Sequence, residues 1–199
     1  MMKSLKYIFS RIKNSKFRIQ NYLLILLFLP LFLFSQDDYR QIQNNTFQRG
    51  EILKYRVFYD SWMTYWMTAG FGITEIEQEP VFMDGRETYH IIVKGNTVGV
   101  FNLFFKVRDR FESFVDKEGL MPLKFTRSTR EGSFRKKDEV LFDHQGKIAT
   151  STRNVKSITP YVQDIVSAFY YMRTWDFDTA EVNDIYKFDF FLDDSLPAP

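Results

Sequence analysis

The alternating stretch GEILKYRVFYD, residues 50–60, indicates the fold class of this chain. Within it, apolar or aromatic side chains recur at every second position, and two cations take positions between them: Leu53, Tyr55, Val57 and Tyr59 against Lys54 and Arg56. A period of two is the repeat of a β-strand that buries one face. The stretch therefore predicts a half-buried strand at the start of a β-rich domain.

More strand-like segments follow at short intervals, separated by turn residues. They cover residues 69–77, 88–97, 103–115 and 123–131, with two shorter segments beside the turn at 143–146. Asp84-Gly85 is a strong turn signal between two of these segments. Close spacing of this kind is typical of antiparallel sheets. We expect a mainly β fold, either a curved antiparallel sheet or a partial barrel.

One packed α-helix is expected at about residues 160–174. Thr159 can cap it, and Pro160 suits its first position. An apolar stripe at helical spacing should lie on the sheet, formed by Ile165, Ala168, Phe169 and Met172. A final strand is expected over residues 185–192, which completes a single β-rich domain at residues 50–199.

The first 35 residues have the pattern of a signal peptide. Six basic and no acidic residues precede an apolar run of 13 residues, 22–34. This run is shorter than the roughly 20 residues that span a bilayer. We expect cleavage near Ser35, with an uncleaved membrane anchor as the alternative. Polar residues 36–49 then suggest a flexible leader.

Removal of the signal changes the charge of the protein. The chain has 27 basic and 25 acidic residues, so loss of six basic residues leaves 21 against 25, a net charge of −4. That balance removes the main electrostatic support for nucleic-acid binding. The chain contains no cysteine, which excludes disulfides and lipid attachment through a cysteine.

Three segments together resemble the exported bacterial domain-of-unknown-function family 3108. They are the opening GEILKYRVFY (50–59), the central FFKVRDRFES (104–113) and the helical DIVSAFYYMR (164–173). The resemblance implies an envelope location and a mainly antiparallel β fold, and it implies no activity. In that family more strands follow the helix, so the resemblance also implies that this chain lacks C-terminal strands.

The charged segment around residue 109 gives the first candidate site. Alternation places Asp109 on the same side as Phe111, where an unpaired carboxylate is costly. Asp109 is either a structural residue that accepts backbone hydrogen bonds or pairs with Arg127, or a general base. On the opposite face, Arg108 and Arg110 form a row with Lys106 that either meets anionic groups or is a solvated face with ion pairs.

The aromatic and methionine-rich connection WMTYWM, residues 62–67, gives the second candidate. Trp62, Tyr65 and Trp66 either line an apolar ligand cavity or contact a membrane, or they cap one end of the sheet. We predict no metal site and no cofactor, because the two histidines have no ligand-like spacing. No nucleophile elbow or phosphate-binding glycine loop is present in the sequence.

These observations favour a non-enzymatic protein of the periplasm or cell envelope of a Gram-negative bacterium. The expected partner is an apolar or lipid-like ligand or an envelope protein, with membrane contact through the signal segment or the surface. The alternatives are a carboxylate-dependent hydrolase of envelope polymers and a purely structural envelope component.

Overall fold

Nine strands and two helices make up the part of the chain that the structure, a computed structural model, describes: residues 39–61 and 64–191. The strands are β1 (Ile52–Ser61), β2 (Thr64–Ile76), β3 (Val81–Met83), β4 (Arg86–Thr97), β5 (Arg108–Asp116), β6 (Pro122–Glu131), β7 (Phe134–Asp143), β8 (Ile148–Ser151) and β9 (Val155–Ser157). The helices are α1 (Gly99–Phe104) and α2 (Ile165–Met172).

All nine strands belong to one open antiparallel sheet. Its order is β1-β2-β4-β5-β6-β7-β8-β9, and β3 pairs with the beginning of β4. Because neighbouring strands alternate in direction, β1, β4 and β6 finish at the same end of the sheet. We call this the α1 end, since α1 follows β4 there. The predicted mainly β, antiparallel fold is confirmed.

The core lies between helix α2 and one face of the sheet, which we call the inner face. Residues paired across antiparallel strands point to the same face, so the register places Ile76 and Ile91 together on it. The main core cluster contains Phe47, Ile76, Tyr89, Ile91, Val115, Leu120, Val166 and Tyr170. A smaller cluster continues it toward β8 with Val140, Phe142, Ala149 and Val162.

Residues 40–49, where the sequence suggested a flexible leader, pack against the domain. Phe47 is 6% exposed and meets the rings of Tyr89 and Tyr170 at centroid distances of 5.3 and 4.9 Å. The Arg40 guanidinium lies over the rings of Tyr161 and Tyr171 at 4.7 and 4.5 Å. This segment therefore closes one side of the core.

Helix α2 begins later than the sequence predicted. Its N-cap is Asp164, whose side chain accepts hydrogen bonds from the backbone of Val166 and Ser167, while Ser167 Oγ bonds back to the Asp164 backbone. This reciprocal cap starts the helix at Ile165 rather than at Pro160. The five residues before it form turns and a short bridge instead.

The expected strand 103–115 is divided in the structure. Helix α1 occupies Gly99–Phe104 and β5 begins only at Arg108. The expected final strand at 185–192 is also not formed within the described residues. There, Phe190 makes one isolated parallel bridge to Gln163, and residues 184–189 have no regular structure.

Candidate ligand-binding groove

An open apolar groove lies on the inner face beside helix α2. It has a volume of about 320 Å³, within the range of small-molecule sites. Strands β1, β2, β4 and β5 each contribute one residue to its lining, and the helix contributes three: Tyr55, Thr74, Val93, Phe111, Ile165, Val166 and Phe169. Thr74 is the one hydroxyl of an otherwise hydrophobic or aromatic lining.

The rotation of helix α2 leaves this groove open. Ile165 is 56% exposed and Phe169 38% exposed, although the sequence predicted that both pack on the sheet. Val166, Ser167, Ala168 and Tyr170 are buried instead. The cap explains the difference, because Asp164 also accepts a hydrogen bond of 2.6 Å from Ser113 in β5 and so fixes the helix on the sheet.

Two paired glycines extend the groove toward the α1 end. Gly72 of β2 pairs with Gly95 of β4, next to the groove residues Thr74 and Val93 on the same face. A Cβ on Gly95 would meet no atom within 4 Å. The inner face is therefore open at this point, and a larger side chain here would occupy the space in which a ligand could lie.

Two hydroxyl groups near the groove lack hydrogen bonds of normal geometry. They are Thr74 Oγ1, in the groove lining, and the neighbouring Tyr170 hydroxyl. Thr74 is 6% exposed and Tyr170 1% exposed. A buried hydroxyl without a partner is costly, and a ligand that carried a hydrogen-bonding group could satisfy it.

A charged cluster borders the groove on the side of β6 and β7. A second cavity of about 90 Å³ shares Phe111 and Ile165 with the groove and reaches Arg127 and Asp138. Asp138 forms ion pairs with Arg127 and with Lys136. Burial alone would raise the pKa of Asp138, but the hydrogen bonds from Arg127 and Lys136 outweigh it and hold that pKa below its usual range.

Asp164 is a fully buried carboxyl group at the edge of the same second cavity. Burial raises its pKa to about 6, against the opposing effect of hydrogen bonds from Ser113, Ser167 and Val166. All of these contacts serve the helix cap. Its role in the described structure is to hold helix α2 over the groove.

The predicted site residues of β5 do not line this groove. The two nitrogens and oxygens of an ion pair join Arg110 to Glu112 at 2.7 Å, away from the groove. Arg108 donates to the carbonyl oxygen of Thr97 at 3.1 Å and is exposed.

Asp109 lies on the inner face, and its carboxylate accepts a hydrogen bond of 3.0 Å from the backbone of Arg130. This is the kind of contact that the structural interpretation of Asp109 requires. The suggested partner Arg127 binds Asp138 instead.

The aromatic connection at 62–67 is described only in part. Trp62 lies outside the described residues. The backbones of Tyr65 and Trp66 belong to the beginning of β2, at the α1 end of the sheet. The groove residues that the sequence analysis missed are Thr74, Val93 and Phe111, because strand alternation reveals their face but not the gap beside the helix.

The two histidines are held by local contacts. His90 lies between Glu77 and Glu112, at N–O distances of 3.0 and 2.8 Å. His144 is 3% exposed and bonds to Pro122 O at 2.7 Å and to Tyr161 N at 3.1 Å. Over residues 39–61 and 64–191, no cluster of three or more side chains could hold a metal ion. Nor is any helix in that part of the chain long and apolar enough to cross a membrane.

The architecture is thus that of an open antiparallel sheet with one capped helix on its inner face and a groove between them. Residues 54–197 match the model of a family described as Protein of unknown function (DUF3108). The chain belongs to this family. No curated protein and no solved structure matches it with significant similarity.

Proposed function

We propose that this protein is exported to the cell envelope and binds an apolar, lipid-like ligand in the groove beside helix α2. The observation that carries the proposal is the groove itself. Its volume is about 320 Å³, and Ile165 and Phe169 remain 56% and 38% exposed at its edge. Burial of such side chains by a ligand would release about 25 cal/mol for each Å² of apolar surface.

The two unsatisfied hydroxyls add a requirement for the ligand. Thr74 Oγ1 and the Tyr170 hydroxyl are both able to donate and to accept. A pure hydrocarbon would leave them unpaired, at a cost of about 1–3 kcal/mol for a buried group. We therefore infer a ligand that combines an apolar chain with a hydroxyl, carbonyl or carboxyl group.

Native mass spectrometry of the protein purified from its own host tests the proposal directly. The expected result is an added mass that organic extraction removes and that is identified as a lipid or another amphiphile. A protein partner in its place would favour the alternative of an envelope assembly. A protein that carries no ligand and binds no fluorescent fatty-acid probe would contradict the proposal.

A blocked groove provides the matched test. In Gly95→Leu the new side chain extends from β4 into open space on the inner face. We expect binding of the fatty-acid probe to weaken by about tenfold or more, equivalent to about 1.4 kcal/mol. The control is Lys94→Leu, the next residue on the opposite face, which is 47% exposed and should bind normally. Equal affinities of the two variants would place the ligand elsewhere.

The substitution Thr74→Val separates the polar from the apolar part of the interaction. It keeps the shape of the side chain and removes a hydroxyl that has no partner. We expect stability to stay equal or to rise, because no hydrogen bond is lost in the unliganded protein. Binding of a ligand with a polar group should weaken, whereas binding of a plain alkane should not.

Export is tested by the mass of the protein recovered outside the cytoplasm. A signal peptide predicts a mature N-terminus near Gln36. Recovery of residues 22–34 in the membrane fraction would instead support the uncleaved anchor. The hydrolase alternative predicts that Asp109→Asn abolishes an activity on envelope polymers without loss of stability.

A further inference from the structure

We propose that the α1 end of the sheet is a docking surface for an anionic lipid membrane. This inference does not depend on the groove, because it rests on different residues. Its apolar part is formed by α1 and the turn between β6 and β7. The residues are Val100, Leu103, Phe104, Phe105 and Phe134, with exposed fractions of 48, 83, 84, 54 and 53%. We call this set the apolar tip.

The apolar tip is held in place by specific contacts. The Thr97 hydroxyl donates to Phe105 O at 3.2 Å and accepts from Val107 N at 3.0 Å. Gly132 N donates to Lys106 O at 2.9 Å, which joins the β6–β7 turn to the end of α1. Gly132 has φ +58, and a Cβ there would lie 3.3 Å from the Phe105 ring. The tip is therefore a fixed structural feature in which α1 buries none of its own residues.

Four cations surround the apolar tip, and this charge identifies the partner. They are Lys106, Arg108, Arg130 and Arg135, all exposed. None of them forms an ion pair with any residue in the described part of the chain. Arg108 and Arg135 direct their guanidinium groups to backbone carbonyl oxygens, Arg135 to Gly132 O and Phe134 O at 2.7 Å. The neighbouring carboxylates are those of Asp109 and Glu131.

Exposed aromatic and aliphatic side chains ringed by cations are the features of proteins that lie on membranes. Apolar groups enter the boundary between headgroups and acyl chains, while Lys and Arg remain at the level of the phosphates. Each such cation contributes about 1 kcal/mol of attraction to an anionic surface. A soluble partner would need an acidic rim around an apolar hollow, so a membrane accounts for both parts of the surface with the simpler geometry.

A second exposed apolar patch on the same molecule shows why charge matters. Phe177, Val182 and Ile185 are 55, 92 and 78% exposed. That segment carries acidic residues in place of cations: Asp176, Asp178, Glu181 and Asp184. An anionic membrane would repel it. The two patches thus form a matched pair with similar exposure and opposite charge.

Site-specific fluorescence on the full chain tests the inference, because the protein has no cysteine of its own. One variant, Phe104→Cys, carries the environment-sensitive label NBD on the apolar tip, and Val182→Cys carries it on the acidic patch. Each is mixed with vesicles of phosphatidylcholine alone or with added phosphatidylglycerol. We expect the emission at position 104 to rise severalfold and shift to the blue on anionic vesicles, and that at position 182 to stay unchanged.

The label reports only its own surroundings, so an apolar N-terminal segment that reached the same vesicles would not produce this signal. Lys106→Gln in the labelled Phe104→Cys chain should weaken the response by about fivefold, the equivalent of about 1 kcal/mol for one charge. A label at 104 that stays in water on anionic vesicles would overturn the inference. So would an equal response on neutral vesicles, or a response at 104 that appears only with an acidic protein.

Discussion

Asp164 shows how one buried residue can both order and destabilise this protein. Its raised pKa of about 6 means that the folded protein binds a proton more tightly than the unfolded chain between about pH 4 and 6. Stability due to this group therefore falls as pH rises through that window. The ionised carboxylate costs about 3 kcal/mol above pH 6, from the difference between the two pKa values.

The matched variants Asp164→Asn and Asp164→Ala separate these two effects. Asparagine keeps an oxygen for the amides of Val166 and Ser167, so we expect equal or higher stability at pH 8 and loss of the pH dependence. Alanine removes the cap, and we expect a loss of about 0.5–2 kcal/mol at every pH. Urea unfolding from pH 4.5 to 8 measures both. If asparagine cost as much as alanine at pH 8, the ionised carboxylate would be stabilising.

His144 has the opposite dependence on pH. Burial lowers its pKa, against the opposing hydrogen bond to Pro122 O. The unfolded chain then binds the proton more tightly, so stability is lost as pH falls below about 6.5. His144→Phe leaves Pro122 O and Tyr161 N without partners, and we expect it to lose about 1–3 kcal/mol at pH 8. The difference from the wild type should shrink toward pH 5; a constant difference would contradict a lowered pKa.

At the scale of elements, helix α2 shows what periodicity can and cannot reveal. The sequence correctly indicated a helix in this region, but it assigned the wrong stripe to the sheet. Ile165 and Phe169 fit an i, i+4 stripe as well as Val166 and Tyr170 do. The choice between them depends on the bond from Ser113 to Asp164, 51 positions apart in sequence. A contact of that range leaves no local pattern, and the groove that it creates could not be predicted.

Alanine substitutions on neighbouring helix positions test this rotation. Tyr170 is 1% exposed, so Tyr170→Ala should lower the free energy of unfolding by about 3–5 kcal/mol. Phe169 is 38% exposed at the groove, so Phe169→Ala should cost much less and should weaken ligand binding instead. Denaturant unfolding and a probe-binding assay on both variants decide the matter. The reverse order of stabilities would support the stripe that the sequence suggested.

At the scale of the whole molecule, strands were easier to predict than boundaries. Regular alternation identified β1, β4 and β6 nearly to the residue, because each buries one face along its length. Helix α1 interrupted a segment that also alternates, since its apolar residues face solvent and follow no burial pattern. The contribution of residues 40–49 was missed because Arg40 and Phe47 are isolated anchors in a polar, aperiodic stretch.

The packing of residues 40–49 leads to a prediction about the cooperativity of the entire domain. Phe47 joins strand β4, through Tyr89, to helix α2, through Tyr170, so its removal opens a cavity in the main core. We expect Phe47→Ala to lower the free energy of unfolding by about 3–5 kcal/mol with an unchanged denaturant slope. The control is Phe177→Ala, 55% exposed, for which the loss should stay below about 1 kcal/mol. Urea unfolding followed by tryptophan fluorescence measures both variants. If the two substitutions cost the same small amount, residues 40–49 do not contribute to the core, and the flexible leader suggested by the sequence would describe this segment better.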